Sequence, residues 1–291
     1  MHDNGNLMTA PPKITIVTPS FNQARYLRRT LTSVAGQKGV DVEHILLDGG
    51  STDATQEVIR AHGSHLTFWR SEQDLGQTMA LIEGFQRAQG QILGWLNSDD
   101  YLWDEYALLK VTRAFSDNPK AAMVSGDTVL VAADETPVMM DMTWRPSARQ
   151  MRYNMAVPQQ STFWKAEAYH AAGGIDPHFK YCMDFDLFQR MSQGRSIVRI
   201  PHILAAFRLH PASKTAALGD VFRREAAICQ NRYGQGLAHK FMVKAVTMEI
   251  RLRSIFAETC AFFSNRRLPC LANARLEPCR AWARRRYDLR F

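Results

Sequence analysis

The chain has 291 residues, of which 46% are hydrophobic and 22% charged, a composition that suits a globular protein with a sizeable core and excludes a chain disordered throughout. Its net charge of +8 sits at one end: residues 220–291 hold 15 Lys and Arg against 6 Asp and Glu, whereas residues 1–219 hold 21 against 22. The main body is therefore close to neutral, and the charge gives no reason to read it as a nucleic-acid binder.

Residues 1–12 read as a disordered lead-in. Residues 13–18 (KITIVT) form a short β-branched run that predicts a buried strand, and PSFN predicts a turn after it. Residues 23–37 carry Tyr26, Leu27, Thr30, Leu31 and Val34 at helical spacing. The pattern then repeats. Strands are predicted at 42–47, 66–69 and 92–96, and helices at 54–62 and 77–88, the first of these capped by Ser51, Thr52 or Asp53. Such alternation predicts a parallel sheet covered by helices, with ligands bound beyond the carboxyl ends of the strands. Each strand end is polar: Pro19-Ser20, Asp48, residues 71–74 and residues 97–100.

After Asp100 the pattern becomes mixed. A helix (108–115) precedes a hairpin (121–131 and 136–143), a short strand (160–164), a helix over 180–192 and two strands (197–200 and 203–208). From 221 onward the chain reads as helical and basic. The five cysteines are odd in number and include no C-x-x-C pair, so neither a disulfide framework nor a zinc site is expected. The opening MHDNGNLMTAPPK lacks the apolar core of a signal peptide, and no run of about 18 apolar residues occurs. A cytoplasmic protein is expected.

The chemistry concentrates in WLNSDDY, where Asp99 and Asp100 end the fourth strand. Adjacent carboxylates repel unless a cation or water separates them. A divalent ion of the Mg²⁺ or Mn²⁺ type takes one or two carboxylates together with substrate phosphate oxygens. The alternative is that one aspartate caps the helix that follows.

The ordered set TPSFN, LDGGSTDAT, SEQDLG, WLNSDD and MDFDLFQRM resembles the family 2 glycosyltransferases over residues 13–215. The resemblance implies a GT-A type α/β fold. Residues 13–104 would form a Rossmann-like parallel nucleotide-binding half, 105–219 a mixed-sheet acceptor half, and 220–291 a helical basic extension. It also implies inverting transfer of a sugar from a nucleotide-diphosphate sugar, with UDP favoured, using Mn²⁺ or Mg²⁺. Carried over by position, Asp100 would hold the metal and Asp99 would meet the ribose or sugar. Asp48 would read the base, Pro19 and Phe21 would flank it, and Asp74 would meet the base or ribose. His210, in RLHPASKT, would be a further metal ligand, with Arg208, Ser213 and Lys214 near phosphate. Where many relatives have a second aspartate this chain has Gly49, and Met79 and Ile82 replace two usual polar positions.

Glycosyl transfer needs a base for the acceptor hydroxyl. Asp184 and Asp186 are two residues apart, so on a helix they point in different directions. The resemblance selects Asp184 as the base and leaves Asp186 structural. Gln160 is the candidate for acceptor hydroxyls. The acceptor would be a saccharide or lipid-linked molecule, in surface polysaccharide or lipopolysaccharide synthesis. The basic, aromatic tail suits peripheral contact with an anionic membrane face. A non-catalytic sugar-nucleotide-binding protein stays open as an alternative, and so does a nucleotidyltransferase, although no glycine-rich phosphate loop follows the first strand.

Overall fold

The structure is a computed structural model that describes residues 12–141, 146–211, 213–214 and 219–263; the expected lead-in and the end of the tail lie outside the described residues. The first half alternates as β1 (Ile14–Ser20), α1 (Ala24–Ala35), β2 (Val42–Asp48), α2 (Thr55–His62), β3 (Phe68–Ser71), α3 (Gln77–Arg87) and β4 (Ile92–Trp95). There follow β5 (Tyr101–Leu102), α4 (Ala107–Asp117), β6 (Ala121–Ala132), β7 (Pro137–Asp141), α5 (Ala148–Met151), β8 (Thr162–Lys165), α6 (Ala166–Ala171), α7 (Met183–Met191), β9 (Ser196–Leu209), α8 (Asp220–Asn231) and α9 (Gly236–Phe263).

One nine-stranded sheet runs in the order β3-β2-β1-β4-β8-β6-β9-β5, and β7 pairs with β6 off this path. β1, β2, β3 and β4 are mutually parallel, and β8 joins β4 antiparallel. Strand order reverses between β2 and β4, on either side of β1. That opens a crevice at the carboxyl ends of β1 and β4, the place where such sheets bind ligands.

The apolar runs make these strands because both faces are covered. All seven residues of β1 are buried, and so are all four of β4. Tyr26, Leu27, Thr30, Leu31 and Val34 form the buried stripe of α1. α3 lies close to the sheet at Gly84, where an added Cβ would stand 2.3 Å from Val17 Cγ1. Gly84→Ala is expected to cost about 1–3 kcal/mol by overpacking, despite alanine's better helix propensity. Urea unfolding checks it, and an unchanged midpoint would contradict the packing argument.

Three expectations change. The strand expected from residue 160 begins at Thr162, because Gln159–Ser161 is a 3₁₀ turn that seats Gln159 on the Trp95 carbonyl (2.6 Å). The two strands expected over 197–208 are one strand, β9, whose pairing with β6 shifts register near Asp127. The helical run after 220 does not stand apart either. α8 packs Cys229, Phe222 and Ala226 into the core that holds α3 and α7 residues.

Candidate functional site

A cavity of about 600 Å³ fills the crevice. Its walls come from the strand ends (Pro19, Ser20, Phe21, Gly49), the loop after β3 with the start of α3 (Gln73 to Thr78), and Asn97, Ser98 and Asp99 after β4. Lys180, Tyr181, Phe207, Ser213 and Lys214 close the far side.

The motif loop after β4 is held from two directions. The Thr30 hydroxyl of α1 reaches the carbonyls of Ser98 (2.9 Å) and Asp100 (2.6 Å). From β9, Arg208 Nε donates to the Asp99 carbonyl (2.9 Å) and the Arg208 backbone N–H donates to Asp100 Oδ1 (3.0 Å). Asn97 accepts from Trp95 Nε1 (2.7 Å) and Gln77 Nε2 (2.8 Å).

This clamp decides which aspartate faces the cavity. Asp100 is 0% exposed and its carboxylate lies on Arg208 and Asn97; burial, with the Asp99 charge beside it, pushes it well above the usual carboxylate range. Asp99 faces the cavity, and its Oδ2 lies 2.9 Å from His210 Nε2. His210 is 3% exposed, its ring packed 4.6 Å from that of Tyr26. The geometry differs from the expectation of a metal on Asp100 with Asp99 at the ribose: Asp99 lines the crevice, and Asp100 is turned inward onto a backbone N–H.

Carboxylate oxygen and imidazole nitrogen together suit Mn²⁺-type ions. Among the described residues no three His, Cys, Asp or Glu side chains cluster around one point. Two protein ligands with diphosphate oxygens and water is the usual arrangement for such ions, so the residues present fit a substrate-bridging cation.

Asp48 also differs from expectation. It is 0% exposed, and its oxygens accept from the Ser51 N–H (2.9 Å), the Ser51 hydroxyl (2.5 Å) and the Ser71 hydroxyl (2.6 Å). It organises the turn and offers the cavity nothing. Asp74 stands over Gly49 instead: a Cβ on Gly49 would lie 3.1 Å from Asp74 Oδ1 and 3.3 Å from Oδ2. Asp74 Oδ1 is aimed by the Gly76 N–H (2.7 Å). Phe21, 59% exposed, stands at the rim as a free aromatic face. Ser20, at the polar end of β1, is part of the cavity lining, and its buried hydroxyl has no hydrogen-bond partner among the described residues.

Asp184 lies in the first turn of α7, accepting from the Phe185 N–H (2.8 Å). It is partly buried behind the Lys180–Tyr181 wall and is not itself part of the cavity lining. Burial pushes its carboxyl up to about 6; Lys214 opposes the shift and Glu225 adds to it. Asp186 is 0% exposed between Arg190 and Arg232, a structural ion cluster. Gln160, expected at the acceptor, is buried and outside the cavity lining. Arg208 donates to Asp99, Ala133 and Glu135 and is not part of the cavity lining, whereas Ser213 and Lys214 are, with Lys214 Nζ also donating to Gln77 Oε1 (2.7 Å) and the Lys180 carbonyl.

Comparison with known proteins gives the family and the fold. Residues 15–171 match the profile described as Glycosyl transferase family 2. An uncharacterized glycosyltransferase of Mycobacterium tuberculosis is 26% identical over 270 residues, covering 89% of this chain and 97% of that protein. A chondroitin synthase of Pasteurella multocida is 26% identical over 184 residues, covering 62% of this chain and 19% of that protein. Among solved structures, S. aureus TarS 1–349 in complex with UDP-GlcNAc superposes with a TM-score of 0.62 at 16% identity, covering 88% of this chain and 77% of that one. The Pyrobaculum calidifontis mannosyltransferase PcManGT, in complex with GDP-Man and Mn²⁺, gives 0.61 at 16% identity, covering 94% and 81%. These two share the fold: a mixed α/β sheet of GT-A type. The chain belongs to glycosyl transferase family 2 and is a glycosyltransferase.

Proposed function

We propose that this protein transfers a sugar with inversion from a nucleotide-diphosphate sugar, UDP-linked by preference, to a hydroxyl of a saccharide or lipid-linked acceptor in polysaccharide synthesis. The observation that carries the reading is Asp99 on the crevice wall at the strand-order reversal, with the buried His210 Nε2 behind it at 2.9 Å. Asp99 and His210 would hold a divalent ion with the donor diphosphate. When bound, such an ion stabilises the charge that builds on the leaving diphosphate.

The chain's own residues supply the rest. Asp184 takes the proton of the acceptor hydroxyl as that oxygen attacks the anomeric carbon from the face opposite the diphosphate. Lys214 and Ser213 bind phosphate oxygens. Phe21 stacks on the base, and Asp74 accepts from the N3–H of uracil or the N1–H and amino group of guanine. The names of relatives support the acceptor class: a chondroitin synthase and a mycobacterial PGL/p-HBAD biosynthesis glycosyltransferase, the latter 25% identical over 204 residues. Release of UDP or GDP from a panel of nucleotide sugars, with Mn²⁺ and oligosaccharide acceptors, tests the reading. No turnover of any donor with acceptor present would count against it. For Asp74→Ala, the KM of the donor is expected to rise about 10–100-fold, the loss of one charge-assisted hydrogen bond. An unchanged KM would return base reading to another residue.

No helix among the described residues is long and apolar enough to cross a membrane. Leu237, Phe241, Met248 and Leu252 are exposed along one side of α9, with Lys240 and Lys244 between them. That face suits peripheral binding to an anionic lipid surface. Flotation with phosphatidylglycerol vesicles is expected to carry the wild type and to leave Phe241→Asp behind. Equal flotation of both would remove this face as the contact.

A further inference from the structure

Glu225, in α8, lies beyond the residues matched by the family and is 7% exposed. Its carboxylate accepts three successive backbone N–H groups: Lys180 on Oε1 (2.9 Å), and Tyr181 (2.7 Å) and Cys182 (2.9 Å) on Oε2. Cys182 is the N-cap residue of α7 and provides no capping side chain. A distant helix thus supplies the acceptor for the N–H groups of the segment that leads into α7.

The clamped segment does two things. It carries Lys180 and Tyr181 onto the cavity wall, and two residues later it delivers Asp184. Its other side is pinned by the Thr78 hydroxyl on the Phe179 carbonyl (2.8 Å) and by Lys214 on the Lys180 carbonyl. The segment is therefore strung between the donor-binding helix α3 and the carboxylate of α8.

We propose that Glu225 is a positioning residue for the transfer: it fixes the wall at Lys180–Cys182 and so sets the aim and surroundings of Asp184. The idea rests on Asp184 being the base. α8 is then part of the catalytic unit and not an accessory to it, because a base must be held to a fraction of an ångström by its supporting contacts.

The test is steady-state kinetics of the full chain across pH 5 to 9 for Glu225→Gln, Glu225→Asp and Asp184→Asn. The charged groups that act on Asp184 are Lys214 and Glu225, with the buried thiols of Cys182 and Cys229 nearby. Glu225→Gln keeps the size but loses the charge and one acceptor oxygen. Its kcat is expected to fall roughly 10–100-fold while the donor KM stays within about 3-fold. The acid limb of kcat should move to lower pH, since a charge that disfavours ionised Asp184 is gone. Glu225→Asp keeps the charge on a shorter arm, so it should lose kcat yet keep its limb in place. A purely structural role predicts otherwise: kcat, KM and melting temperature change together and the limb stays put in both variants. That outcome overturns the proposal, as does a Glu225→Gln enzyme with wild-type kcat. Should Glu225→Gln fail to fold, Glu225→Asp decides, since unaltered kcat there contradicts a role in aim. An active Asp184→Asn enzyme that retained its acid limb would overturn the base assignment itself. An inactive Asp184→Asn beside an unaltered Glu225→Gln would overturn only the positioning role.

Discussion

Asp184→Asn is expected to lower kcat by roughly 10²–10⁴-fold, the usual contribution of a general base, while donor binding survives. Asparagine occupies the same volume at the start of α7 and can still accept from the Phe185 N–H, so the wall beside it need not move. What it cannot do is take a proton. In the wild type, burial holds the carboxyl at about 6, so activity should fall with protonation below about pH 6. The same shift predicts a stability effect of opposite sense. The folded state keeps its proton to higher pH than the unfolded chain, whose carboxyl titrates near 3.8. Folding is therefore opposed increasingly as pH rises through the window from 3.8 to about 6, and that opposition persists above it. Asp184→Asn removes it and should raise the melting temperature at pH 7.5 while abolishing turnover, a trade familiar at active sites. An asparagine variant both active and less stable would contradict the role on two counts.

Asp99→Ala is expected to cost more than 10²-fold in kcat/KM and to abolish the response to added Mn²⁺, because it would remove one of the two protein ligands proposed for the cation. His210 would also lose its 2.9 Å partner, so His210→Ala should reproduce much of the effect. Asp100→Asn is the contrasting variant. Its side-chain carbonyl can still accept from the Arg208 N–H, and the buried charge disappears. It should therefore retain most of its Mn²⁺ response. Mn²⁺ titrations of initial rate separate the two aspartates, and loss of the response in Asp100→Asn alone would restore the arrangement expected from the sequence.

That pair shows what a sequence carries and what it leaves out. The polar strand ends, the alternation over the first hundred residues and the Asp99–Asp100 motif are local signals, and the structure brings them to one crevice. The two aspartates lie in a turn after β4, so the motif alone does not say which of them looks outward. The answer comes from Arg208, 108 residues later, whose backbone N–H captures Asp100. Asp48 likewise looks available in LDGGSTDAT until Ser51 and Ser71 occupy its oxygens, the second of them 23 residues away. Gln160 looks polar and free but lies in a buried turn. Glu225 gives no sign at all, because one acidic residue among arginines on a helix reads as a solvated face. Only packing of α8 on α7 places it against three N–H groups. At Asp100, Asp48 and Glu225 a long-range hydrogen bond contributes to the miss, the interaction least encoded by composition or periodicity.

Calorimetric titration of UDP and of GDP, each with and without Mn²⁺, into the wild type and Asp99→Asn is the measurement that bears most directly on the Asp99–His210 site. The result expected is binding of one nucleotide that strengthens with Mn²⁺ in the wild type and loses that metal dependence in Asp99→Asn. Binding that is equal with and without metal, or equally metal-dependent in both proteins, would contradict a cation held by Asp99 and His210.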